Sequence, residues 1–226
     1  MSRSPRKTTG RSDIARFLDR KRHIETVAAR SPRLLFAVDA TASRQPTWDL
    51  ACRLQGEMFL ASRRLATLSV QLCYYRGFAD FQRSAWTSDA EALAGAMARV
   101  RCEAGQTQLT RVLRHALAEH RRLPLRGAIF IGDAMEENAG RLCELAGECG
   151  LRRLPLFLFQ EGADARVSRC FDRMAALSGG VRCSFDRGSA DRLASLLGAV
   201  ARYAAGGRRA LETNPDEGAR LLLQQL

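Results

Sequence analysis

The order of apolar and amphipathic segments predicts an α/β fold: a doubly wound, mostly parallel six-stranded sheet with one antiparallel edge strand and helices on both faces. Three observations carry this. From Leu34 onward, short apolar runs alternate with segments of helical period. Tyr74-Tyr75-Arg76-Gly77-Phe78 links the second and third runs through a glycine, as a hairpin does, whereas the other runs are separated by helices and should be parallel. The first run, Leu34-Leu35-Phe36-Ala37-Val38, ends in Asp39-Ala40-Thr41-Ala42-Ser43, which puts a carboxylate and two hydroxyls at the carboxyl end of a buried strand. Ligands of open α/β sheets bind at that end.

Strands are expected over Leu34–Val38, Ala66–Arg76, Phe81–Trp86, Gly127–Ile131, Pro155–Gln160 and Val181–Phe185, and helices over Thr47–Arg64, Asp89–Arg101, Thr107–Arg122, Asn138–Gly147, Ala163–Leu177 and Ala190–Tyr203. Gly179-Gly180 and Gly206-Gly207 read as left-handed helix ends. Asn214-Pro215 reads as a further helix start, with Leu221, Leu222, Leu223 and Leu226 as its apolar stripe, for packing on the domain or docking into a partner. At the other end, Ser12-Asp13 suits the cap of a helix over Ile14–Ala29, after a polar, basic start. The organisation expected is a basic N-terminal tail with a helix over 1–32, an α/β domain over 33–204, and a C-terminal tail with a short amphipathic helix over 205–226.

The 226 residues and an apolar fraction of 46% suit one good-sized domain with tails. The formal charge is +12, and residues 1–30 hold 9 Lys/Arg against 3 Asp/Glu, so half of the excess sits there. Such a tail suits nucleic acid, an anionic surface or an acidic protein, and equally a solvated tail in an arginine-rich proteome. Arg3, Arg6, Lys7, Arg11, Lys21 and Arg22 are its candidate nucleic-acid contacts, although no RNA-recognition aromatic motif accompanies them. Seven cysteines without a CxxC pair favour a reducing compartment. The start has no apolar core of a secretion signal, and the strongest apolar run, Leu154–Phe159, is too short for a bilayer; the expected location is cytoplasmic.

Two later segments, Gly105-Gln106-Thr107 and Ile129-Phe130-Ile131-Gly132-Asp133, would bring a hydroxyl and a second carboxylate to the edge where Asp39 lies. Five oxygen donors without His or Cys suit a hard divalent cation. Read alone, Asp39 is as well explained as a helix cap, with Thr41 and Ser43 in local turns.

Together these motifs resemble the von Willebrand factor A domain family. Asp39-Ala40-Thr41-Ala42-Ser43 is similar to its D-x-[ST]-x-S loop, and Thr107 and Asp133 stand where the family places its metal-site threonine and last acidic residue. Phe171–Gly180 also resembles the stretch before its last strand, and the likeness spans roughly residues 33–204. The resemblance implies a MIDAS-like site of Asp39, Thr41, Ser43, Thr107 and Asp133, holding Mg²⁺, with Mn²⁺ or Ca²⁺ as substitutes. It implies an adaptor that grips an Asp or Glu carboxylate of a partner protein through the ion. Free-standing bacterial members work beside AAA+ ATPases or in stress-response systems, and the Ro autoantigen group pairs a similar domain with RNA binding.

Two departures stand out: Ala42 where many members have Gly, and Arg44 where an apolar residue is common. Arg44 is expected to face solvent or to sit near the site and favour an anionic ligand; close to the ion it would weaken metal binding. Trp48 reads as core or hydrophobic staple first and partner contact second. Glu136 and Glu137 read as a solvated helix start, with Glu136 a secondary candidate for partner contact. His115 and His120, five apart, are not stacked as a zinc pair. No phosphate loop, GxSxG elbow, dinucleotide fingerprint or second phosphatase carboxylate accompanies Asp39, so no enzyme activity is expected.

Overall fold

The computed structural model describes residues 31–186 and 188–226; the tail helix and the basic residues of positions 1–30 lie outside them. Among the described residues six strands form one sheet: β1 (Arg33–Asp39), β2 (Ser69–Arg76), β3 (Asp80–Arg83), β4 (Gly127–Gly132), β5 (Leu156–Glu161) and β6 (Val181–Phe185). Their order is β3-β2-β1-β4-β5-β6, with only the β2–β3 pair antiparallel. Gly77, at φ +56°, turns the hairpin between that pair.

All seven residues of β1 are buried, as a central parallel strand requires. Its side chains alternate between two cores. Leu34, Phe36 and Val38 pack with α1 (Gln45–Leu54), α2 (Gly56–Ser62), α3 (Ala90–Ala98), α7 (Ala190–Thr213) and α8 (Glu217–Leu223). Leu35 and Ala37 pack with α4 (Leu109–Arg122), α5 (Ala139–Leu151) and α6 (Ala165–Ser178). The helices therefore cover both faces, and polar chemistry is left to the strand ends.

Several boundaries differ from the sequence expectation. The segment Thr47–Arg64 is two helices, interrupted at Gln55, whose amide donates to the Ala90 carbonyl just before the weak helix former Gly56. β3 stops at Arg83 because the Ser84 hydroxyl accepts from the Leu72 N–H and so interrupts the backbone ladder. Gly207 (φ 68°, ψ −165°) breaks the helix as the sequence predicts, so α7 is two helical segments joined at a kink, and the second runs on to Thr213 with Leu211 fully buried. The last helix is capped by Asp216, not Asn214. The Asp216 Oδ1 accepts from the Ala219 N–H at 2.8 Å and its Oδ2 pairs with Arg202 at 2.6 Å. Ala219 and Leu222 are fully buried, so this segment packs into the core beside α7 rather than standing off as a tail.

Candidate functional site

From β1 the chain moves to β2 on one side, and β4 later pairs on the other, so the carboxyl ends of β1 and β4 form the topological switch point of the sheet. Asp39 is the last residue of β1, and Asp133 directly follows β4. Asp39 is 1% exposed. Its Oδ1 accepts from the Thr41 N–H at 2.8 Å, an Asx-type turn that starts a short 3-10 turn over Ala42–Arg44. Its Oδ2 is buried and has no hydrogen-bond partner. The buried Tyr75 hydroxyl is near enough to ease the Asp39 charge but makes no hydrogen bond of ordinary geometry with it. Burial pushes the Asp39 carboxyl above its usual range; bonds from Thr41 and the nearby Tyr75 oppose this, and the Asp133 charge adds to it. The carboxylate is thus held in place while one oxygen lacks a donor or cation.

Thr107 arrives from the loop before α4. Gly105 lies so tightly against the β2–β3 turn that a Cβ there would sit 2.0 Å from the Gly77 carbonyl oxygen. Thr107 and Glu136 then bind each other twice: the Thr107 N–H donates to Glu136 Oε2 at 2.8 Å, and the Glu136 N–H donates to Thr107 Oγ1 at 3.1 Å. Glu137 accepts from the Leu109 and Thr110 N–H groups at 2.6 and 2.9 Å, and so caps α4 from a distant loop where Gln108 supplies no side-chain cap. The two glutamates are therefore not a solvated helix start; α5 begins after them, capped by Asn138.

Thr41, Ser43, Thr107, Asp133 and Glu136 line one cleft of about 260 Å³, and Asp39 is buried behind Thr41. Three larger clefts, of about 470, 390 and 650 Å³, lie elsewhere among the described residues, and none of them gathers a carboxylate with Ser or Thr hydroxyls. The donor set suits a hard cation. It offers three hydroxyls, two carboxylates and, in Asp39 Oδ2, a buried oxygen that lacks a partner. No three His, Cys, Asp or Glu side chains converge on a metal position among the described residues, so hydroxyls would have to complete any coordination here.

Arg44 is neither solvent-facing nor presented to a partner. It is 5% exposed, its Nη2 lies 2.9 Å from Asp133 Oδ2, and its Nη1 lies 2.7 Å from Glu161 Oε2. Sheet order explains the reach: β1, β4 and β5 are neighbours, and Arg44, Asp133 and Glu161 sit at or just beyond their carboxyl ends. Thr47 Oγ1 also donates to Glu161. Glu161 escaped the sequence reading, although its signal was available: a third apolar strand ending in an acid, as at Asp39 and Asp133.

Trp48 is not a partner contact. It is 1% exposed, meets Tyr74 edge-on at 5.5 Å, and donates through Nε1 to the Met97 carbonyl. His115 pairs with Gln71, and His120 accepts from the Leu125 N–H; the two do not share a ligand position. The candidate nucleic-acid residues Arg3, Arg6, Lys7, Arg11, Lys21 and Arg22 lie outside the described residues. No helix among the described residues is long and apolar enough to cross a membrane.

Sheet order, the antiparallel β2–β3 edge and the helices on both faces among the described residues give a doubly wound fold like that of von Willebrand factor A domains. Solved structures share it. The SpRpn10 VWA domain superposes with a TM-score of 0.59 at 13% identity, over 75% of this chain and 94% of that one. BatB from Bacteroides thetaiotaomicron gives 0.56 at 17%, over 76% and 100%. An aerotolerance-related membrane protein from Bacteroides fragilis gives 0.59 at 14%, over 76% and 98%. At these identities the likeness is one of fold. No protein-family model and no curated protein sequence matches the chain.

Proposed function

We propose that this chain is a non-enzymatic protein-interaction module whose cleft at the β1/β4 switch point takes an acidic side chain of a partner protein. Asp39, Thr41, Ser43, Thr107 and Asp133 would hold a divalent cation, most suitably Mg²⁺, which when bound supplies a hard, incompletely neutralised positive centre for a carboxylate. The observation that carries the reading is the Asp39 Oδ2: a fully buried carboxylate oxygen with no partner, beside a cleft lined with hydroxyls. The chain's own part is positional. Asp39 is locked by the Thr41 N–H, and Thr107 is locked by Glu136, so the donors are arranged before any ligand arrives. Of the partner classes the resemblance implies, an AAA+ ATPase or a stress-response component presenting an Asp or Glu fits this chemistry.

Calorimetric titration with Mg²⁺ tests the site. Wild type should bind and Asp39→Ala should not; equal binding in both would remove the site assignment. Nucleic-acid association is a separate reading that rests on the charge of residues 1–30. Deleting them should abolish any salt-sensitive RNA or DNA binding, and retained affinity would refute the tail as its source.

A further inference from the structure

One residue at this edge is not explained by cation binding at all. Arg44 is a buried guanidinium at a cleft proposed to hold a second, divalent charge. Its two arms are unequal in setting. The Nη1 arm ends on Glu161, which is equally buried at 6% side-chain exposure and also accepts from Thr47. The Nη2 arm ends on Asp133, whose side chain is 29% exposed and faces the cleft. The inner contact is an anchor, and the outer contact lies where ligand chemistry would take place.

A divalent ion drawing on Asp133 and a guanidinium paired to Asp133 repel each other, and each reduces the negative charge available to the other. We propose that Arg44 is a tethered counter-ion that competes with the divalent cation for Asp133 and thereby sets the ion's affinity. Without the ion, Arg44 bridges Asp133 and Glu161 and offsets one of their two negative charges. When the cleft is loaded, Asp133 turns from Arg44, and the guanidinium stays on Glu161, which Thr47 also holds, instead of leaving the protein. Loading then depends on the combined pull of the ion and a partner carboxylate, which makes the module reluctant to bind either one alone. This inference rests on the divalent-cation reading of the cleft.

The test uses the full chain and Mg²⁺ alone as probe. Removing only Arg44 would strand Glu161, so the variant is Arg44→Gln with Glu161→Gln, which keeps hydrogen-bonding groups of similar size without the charges. Its Mg²⁺ affinity by calorimetry should exceed that of wild type by about tenfold or more, the size of a charge–charge effect at an edge of intermediate dielectric. In wild type, the Arg44 guanidinium Nη–H resonances should shift as Mg²⁺ saturates the protein and Nη2 loses Asp133; this second measurement needs no substitution and decides the matter if the double variant does not fold. A purely structural role predicts the reverse, weaker binding in the variant. A folded variant with equal or weaker affinity, or an unmoved Arg44 resonance at saturation, overturns the competition while leaving the cation site intact. Absence of Mg²⁺ binding in both proteins overturns the cation site and the competition with it.

Discussion

Thr107 and Glu136 hold each other by two reciprocal hydrogen bonds across 29 positions of sequence, each backbone N–H donating to the other's side chain. This joins the two loops that bring the threonine and the second aspartate to the cleft. Thr107 is thus positioned by a neighbouring loop rather than by its own helix. One lone pair of its hydroxyl is used by the Glu136 N–H, which leaves acceptor capacity on a residue that lines the cleft. Glu136→Ala should therefore weaken Mg²⁺ binding several-fold with little change in stability, whereas Glu136→Gln, which still accepts from the Thr107 N–H, should remain near wild type. Calorimetry on the two variants separates positioning from charge.

Glu137 acts next door as a cap in trans. Without it, the Leu109 and Thr110 N–H groups lose their acceptor at the positive end of α4. Glu137→Ala should cost about 1–2 kcal/mol, the usual worth of a helix cap. Urea denaturation measures it, and an unchanged midpoint would mean that the cap does not contribute.

Gly105 has no room for a side chain against the Gly77 carbonyl. Gly105→Ala should push the Thr107 loop away from the hairpin, lowering Mg²⁺ affinity and the melting temperature together. Gly56, where a Cβ meets nothing within 4 Å, is the matched control, and Gly56→Ala should leave Mg²⁺ affinity unchanged.

Asp39 gives a prediction whose sign changes with the metal. Its folded pKa is raised, chiefly by burial, so without a cation the ionised form destabilises the fold as pH rises through and above the ordinary carboxylate range. In EDTA at pH 7, Asp39→Asn should be more stable than wild type by on the order of 1 kcal/mol, the scale of a buried unsatisfied polar group. The gain should vanish at a pH low enough to protonate Asp39 in both states. In saturating Mg²⁺ the order should reverse, because only wild type gains binding energy from the ion. Thermal melts in the two buffers show either the crossover or its absence.

Glu119 works in the opposite direction. Burial alone would raise its pKa, but hydrogen bonds from Arg33 at 2.7 Å and Trp86 at 3.1 Å, with the Arg33 charge, bring it below the usual value. A depressed carboxylate stabilises the fold above its unfolded pKa and loses that contribution as pH falls through the folded value. Arg33 also stacks on Trp86, 3.8 Å from the ring centroid, and donates to the Leu123 carbonyl, so the cluster ties the start of β1 to the end of α4. Glu119→Gln should flatten the acid limb of stability below about pH 4.5, near the unpaired glutamate value. A limb as steep as wild type would place the acid sensitivity elsewhere.

The architecture was legible because period and punctuation agree along the chain. The alternation of strands and helices, the Gly77 hairpin and the Gly179 helix end all reflect local chemistry that a single sequence displays. The convergence of Thr41, Ser43, Thr107 and Asp133 followed from placing each on its strand or loop. The pairing of Arg44 with Glu161 was not legible, because it spans 117 positions and depends on β4 lying between β1 and β5. An arginine in a polar loop reads as solvated until sheet order brings two carboxylates to it. The roles of Glu136 and Glu137 were hidden for the same reason: the N–H groups they satisfy belong to another helix. Trp48 shows the limit of position as a guide, since a tryptophan one turn into the helix after the site loop is turned wholly into the core.

The most direct test of a metal-bridged grip on acidic side chains is a peptide array probed with the full chain in Mg²⁺, in EDTA, and with Asp39→Ala. The account predicts that bound peptides share an essential Asp or Glu, and that binding disappears both in EDTA and in the variant. Peptides retained equally under all three conditions would contradict it.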